Sequence, residues 1–109
     1  MVLLNKSYEW ISLLVSEGTL EILKYLAERD VGHFKELRSL KNFRTKRNFS
    51  SNTISLRIKE LVGYGAIERT ISDSKGRNLV AYRITDAGRK CIELADKFDD
   101  ELSVVLKKK

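Results

Sequence analysis

At 109 residues the chain has room for one domain with one core. A hydrophobic share of 42% beside 33% charged residues excludes a disordered tail, and every apolar stretch is cut by charge within a few residues. That excludes a membrane-spanning helix, which needs about 20 predominantly apolar residues. The net charge of +6 is unevenly spread: residues 1–34 carry three Lys/Arg against five Asp/Glu, residues 85–109 carry six of each, and residues 35–84 carry twelve against four. Concentrating the positive charge in the middle half is what a surface facing a polyanion requires.

One cysteine, Cys91, excludes an internal disulfide, and one histidine, His33, leaves no structural zinc set. There is no Gly-rich phosphate loop, no Ser between elbow glycines and no His–carboxylate cluster. No catalytic residue, metal or cofactor is therefore expected. The opening Met1–Lys6 lacks a small-residue cleavage site, and Lys6 and Glu9 interrupt its apolar run, so it reads as the start of the first helix.

Leu4, Tyr8, Ile11 and Val15 recur at helical spacing and predict an amphipathic helix over 3–16. Ser16-Glu17-Gly18 breaks it, and Thr19 is the expected N-cap of a second helix with Leu20, Leu23, Leu26 and Ala27 on one face, ending near Arg29. Asp30-Val31-Gly32 is a turn and His33-Phe34 a very short strand, with His33 in a structural or surface role. A short helix over Lys35–Leu40 turns Leu37 and Leu40 inward. The loop from Lys41 to Phe49 is basic and free of acids, and Ser50 or Ser51 then caps a fourth helix with Ile54, Ile58 and Leu61 buried and Gly65 beyond its end.

The period now changes from helical to alternating. Ile67, Arg69 and Ile71 alternate with Glu68, Thr70 and Ser72, and Val80, Tyr82 and Ile84 share one side of a second strand. Asp73 to Asn78 is the expected hairpin tip, and Val80 is expected in the core. Thr85 caps a final helix to about Leu106, with Ala87, Cys91, Leu94, Phe98, Leu102 and Val105 along one seam. Cys91 reads as a packing residue there rather than a redox switch. The class is mainly α with a small β-hairpin: one domain of a 3–16 helix, a 19–84 core and an 85–107 helix.

Four segments resemble the winged helix-turn-helix domain of prokaryotic, and by preference archaeal, transcriptional regulators, nearest to the HxlR type with MarR and ArsR types beside it. Leu20–Leu26 is similar to the first helix of the motif, and Phe34-Lys35-Glu36-Leu37 to the lead-in of its second. Ile54–Arg69 resembles the recognition helix, turn and first wing strand, and Tyr82–Gly88 the wing exit. Together they span roughly residues 19–90. HxlR-type proteins commonly sense oxidants through a cysteine near the N-terminus; none stands there in this chain, so that role does not carry over. The loop from Lys41 to Phe49 is also longer than the usual turn of the motif.

The resemblance implies a sequence-specific regulator of double-stranded DNA acting as a homodimer, cytoplasmic and nucleoid-associated. A step of about 100° per residue puts Asn52, Leu56 and Lys59 opposite the buried face of the fourth helix, with Thr53 and Ser55 flanking them. Asn52 then suits adenine, Leu56 a thymine methyl, and Lys59 guanine or phosphate. Capping competes for Ser51 and Asn52, and packing on the 43–49 loop for Leu56. Arg44, Lys46, Arg47 and Arg57 are expected on phosphates, and Lys75 and Arg77 on the backbone or minor groove. Phe43 and Phe49 anchor their loop in preference to stacking on bases.

The seam of the last helix outruns what the motif needs, which predicts a dimer interface of Tyr8, Cys91, Leu94, Phe98, Leu102 and Val105, aided by Trp10. Folding back over the first helix within one chain is the alternative. No small-molecule effector pocket is legible. A DNA-coating architectural protein and a protein-interaction module are the competing functions, with an enzyme far behind.

Overall fold

The computed structural model describes residues 6–74 and 76–107. Among these residues, five helices and a three-stranded antiparallel sheet follow in the order α1 (Glu9–Val15), α2 (Thr19–Ala27), β1 (Gly32–His33), α3 (Phe34–Arg38), α4 (Ser51–Gly63), β2 (Ile67–Ser74), β3 (Arg77–Ile84) and α5 (Asp86–Val105). The sheet order is β1-β3-β2, so the hairpin's second strand is central and the short β1 flanks its base. Ile22, Leu23, Leu26, Leu37, Ile54 and Leu61 are all but sealed from solvent and form the core between α2, α3, α4 and the sheet. This is a winged-helix architecture, mainly helical with a small sheet and a long last helix, as expected.

The N-terminal elements depart from the expected pattern. Residues 3–5 of the expected 3–16 helix lie outside the described residues, and the described helix begins only at Glu9. Tyr8 stands before it in the left-handed region at φ 55°, where a helix cannot run on. The expected apolar stripe is also the outer one: Tyr8, Ile11 and Val15 are exposed, while Leu13 and Leu14 turn toward the domain. Thr19 does not cap α2. Gly18 takes the cap position at φ 91°, and buried Thr19 spends its hydroxyl on the Leu13 carbonyl at 2.7 Å, tying α2 to α1.

The end of α4 follows the sequence closely. Gly65 adopts φ 81°, its N–H donates to the Val62 carbonyl, and the Ala66 N–H donates to that of Leu61, the paired bonds of a Schellman stop. This turn seats the last helix. Thr85 Oγ1 caps α5 by accepting from the Gly88 N–H at 3.1 Å and donates to the Ala66 carbonyl at 2.9 Å. A side chain on Gly88 would collide with the Ala66 carbonyl oxygen and stand 2.7 Å from Ile84 Cγ1. Only glycine allows so close an approach.

The hairpin is longer than its sequence suggested. Asp73 pairs with Asn78 and Ser74 with Arg77, so strand pairing takes in four of the six residues expected in the tip, and Gly76 adopts φ 75°. Val80 does not join the core. It pairs with exposed Ile71 on the part of the hairpin that projects past the body, and Ala81 and Ile84 are the buried residues of β3.

Candidate nucleic-acid interface

Helix α4 is held so that its first turns stay free. Ser50 is the cap: its Oγ accepts from the Thr53 N–H at 3.0 Å. Ile54, Ile58 and Leu61 anchor the buried face, leaving Ser51, Asn52, Ser55, Leu56 and Lys59 exposed on the other. Capping by Ser50 releases Ser51 and Asn52 from that duty, and Leu56 stands 48% exposed rather than packed away. Arg57 is differently placed. Its guanidinium donates to the Glu17 carbonyl at 2.9 Å and to Glu60 Oε1 at 2.6 Å, bracing α4 against the α1–α2 turn.

The basic loop is a small built hairpin. Lys41 and Asn48 form a bridge, and Asn42 Oδ1 accepts from the N–H groups of Arg44 and Thr45. Lys46 closes the turn at φ 63°, its ammonium on the Phe43 carbonyl at 2.6 Å. Two anchors fasten the loop: Phe49 enters the core, and the nearly buried Glu21 carboxylate accepts the Phe43 N–H at 2.9 Å. Phe43 itself is exposed. Arg44 and Arg47 are exposed and have no ion-pair partner among the described residues.

At the wing, Arg77 is exposed next to the tip, and Lys75 lies outside the described residues. The base carries an ordered polar cluster. His33 Nε2 meets Ser72 Oγ at 2.7 Å, reaching diagonally across Ala81, which pairs with both His33 and Thr70. The His33 N–H donates to Glu36 Oε1 at 2.7 Å, and the Tyr25 hydroxyl donates to Glu36 Oε2 at 3.1 Å. The His33 backbone donor, above all, holds the Glu36 carboxyl below its ordinary range, while burial and the adjacent carboxylate raise the Tyr25 hydroxyl.

Apart from these residues, α1 and α5 border an apolar groove of about 540 Å³ walled by Trp10, Ile11, Leu14, Tyr64, Leu94 and Phe98, with Leu23 and Leu61 at its floor. Trp10 and Tyr64 meet edge to face at 5.0 Å. Cys91 lines the groove, half-buried; Leu102 and Val105 continue outward along α5, exposed, and Tyr8 lies outside the groove. The helix does fold partly onto its own chain, through buried Ala95 and the Lys24–Asp96 pair at 3.0 Å. The seam itself stays open.

Two residues missed in the sequence bear on the candidate interface. Glu21 orders the basic loop from within, and Arg69 faces α4 from the wing base. The signal for Arg69 was present: it is a cation between Ile67 and Ile71, on the strand's apolar side.

The fold is that of the winged-helix class. No protein-family model matches the chain, and no curated protein does. Among solved structures, the chain is similar to TA0346 of Thermoplasma acidophilum, a provisionally assigned transcriptional regulator, at 29% identity over 83% of this chain and 91% of that one, with a TM-score of 0.52. It is similar in fold to the reduced form of the transcriptional regulator YodB of B. subtilis, at 20% identity over 97% of both chains and a TM-score of 0.72. A PadR-family transcription regulator of Clostridium difficile R20291 shares the fold at 19% identity, 81% and 92% coverage and a TM-score of 0.67.

Proposed function

We propose that the chain is a transcriptional regulator that binds double-stranded DNA as a homodimer. One observation carries the reading: the first turns of α4 present Ser51, Asn52, Ser55 and Leu56 to solvent, uncommitted to capping or packing, directly after the loop that carries the exposed cations Arg44 and Arg47. In this reading Asn52 and Leu56 meet base edges in the major groove. Arg44, Lys46 and Arg47 grip one flank of the backbone, and Arg77 with Lys75 the other. Arg57, already bonded twice, orients α4 instead of touching DNA. The open seam of α5 with α1 is where two copies join. The protein acts in the cytoplasm, on the nucleoid.

The test is selection of sites from random duplex DNA. A two-fold site is expected, with half-sites roughly 34–36 Å apart. Asn52→Ala should relax preference at one base pair by about 1–3 kcal/mol. Its thermal midpoint should hold, because Ser50 and not Asn52 caps the helix. A flat selection would instead indicate a coating protein, and no duplex affinity would refute the reading.

A further inference from the structure

Between α4 and the base of the wing lies a second, smaller cleft, of about 280 Å³. Its floor is apolar: Phe34, Ile58, Val62 and Tyr82. Its remaining lining is Ser55 and Lys59 from α4 and Arg69 from β2, so two cations from two elements border one space. That volume falls below the roughly 300–1,000 Å³ of small-molecule sites. It suits a compact polar group.

The acids that could neutralise these cations are committed elsewhere. Glu60, next to Lys59 in the chain, is held by Arg57 at 2.6 Å, and Glu68, next to Arg69, is held by Arg83 at 3.4 Å. Alternation along β2 explains the second pairing, since Glu68 and Arg69 point to opposite faces of the hairpin. Neither Lys59 nor Arg69 has an ion-pair partner among the described residues. Two uncompensated cations over a low-dielectric floor focus a positive potential into the cleft.

We propose that this cleft seats one phosphodiester group of the DNA backbone, held by the Lys59 ammonium, the Arg69 guanidinium and the Ser55 hydroxyl. The guanidinium supplies a planar fork for two phosphate oxygens, and the ammonium a point charge. Lys59 therefore grips the backbone and reads no base. The proposal rests on the DNA-binding reading above, and it adds Arg69 to the interface.

The test uses the full chain, its selected duplex and a series of duplexes each carrying one neutral methylphosphonate. One position per half-site should weaken wild-type binding about ten- to hundredfold, as for loss of a charge-assisted hydrogen bond. The same substitution should cost Lys59→Ala or Arg69→Ala almost nothing further. Each variant should flatten the salt dependence by about 0.9 in log–log slope for every phosphate no longer neutralised, and keep the base preference intact. Both side chains are exposed, so thermal midpoints should not move.

Equal methylphosphonate penalties in wild type and variants would overturn the seat while leaving DNA binding standing. So would a Lys59→Ala protein with relaxed preference at one base pair. Inorganic phosphate, titrated without DNA and followed by NMR, separates the two sources of the anion. Saturation at micromolar phosphate with no sensitive DNA position would assign the cleft to the free ion and reject the backbone seat. Absence of any duplex affinity would instead defeat the underlying reading, and the seat with it.

Discussion

The proposed dimer can be tested at one side chain. Phe98 lines the α1–α5 groove and remains 44% exposed in the single chain. An aromatic side chain carries roughly 200 Å² of surface, so about 90 Å² is left for a partner to cover. At about 25 cal/mol per Å² this is about 2 kcal/mol per protomer, and about 4 kcal/mol for a two-fold pair in which the contact occurs twice. With a factor of ten for every 1.4 kcal/mol or so, Phe98→Ala should weaken dimerisation about a thousandfold. Phe98→Glu with Leu102→Glu, which places charge on the same seam, should leave a monomer. Sedimentation equilibrium across nanomolar to millimolar protein measures both, and far-ultraviolet dichroism checks that the variants stay folded. Phe98 is not among the buried core residues, so folding should survive. Duplex affinity should fall with the dimer. A wild type that sediments as a monomer at micromolar concentration would refute the reasoning, as would an association constant untouched by Phe98→Ala.

Gly88→Ala should lower stability by about 2 kcal/mol, because the new methyl meets a backbone carbonyl that cannot turn aside. For a domain of this size that is a fall of roughly 10 °C in calorimetric midpoint, and an unchanged midpoint would contradict the close approach of α5. Glu36→Gln should change the acid limb of stability. The wild-type carboxyl is held below its ordinary 4.5 by the His33 N–H, so its stabilisation is complete above that value and is lost as pH falls through the lowered one. Midpoints measured from pH 6 downward should therefore drop more steeply for wild type than for the variant, and parallel curves would remove the carboxylate from that role.

Where local chemistry decides the structure, the sequence was sufficient. Ser50 (expected together with Ser51), Gly65 and Thr85 mark their helix ends through side-chain oxygens or a left-handed turn, and periodicity located the buried face of α4; in β3 alternation placed Ile84 inward but set fully buried Ala81 on the opposite side. Errors arose where a partner distant in the chain decides the outcome. Thr19 looks like a cap until the Leu13 carbonyl competes for its hydroxyl. Val80 looks like core until the register shows how far the hairpin runs past the body. The candidate interface divides likewise: helix geometry puts Asn52 on the outer face, whereas Leu56 could have packed on the 43–49 loop until its exposure is seen, and Arg57 looks free until Glu17 and Glu60 are brought to it. Glu60, three residues on, was the legible half of that pairing. Burial of Glu21 was not legible, since its partner, the Phe43 N–H, lies on another element.

The paired strands 71–74 and 77–80 form a lever. Three residues of each strand beyond the exposed Ile71–Val80 level extend about 10 Å at the usual rise of a strand. Rotating such an arm by about 10° at its root sweeps its end through about 2 Å, which is most of a hydrogen-bond length. In the proposed complex, the position of Arg77 on a phosphate is therefore sensitive to the base of the arm, where the His33–Ser72 bond is laid across Ala81. Changes of size or polarity at these three positions, none of which touches DNA in the proposed complex, retune the reach of the tip and hence the half-site flank on which it lands.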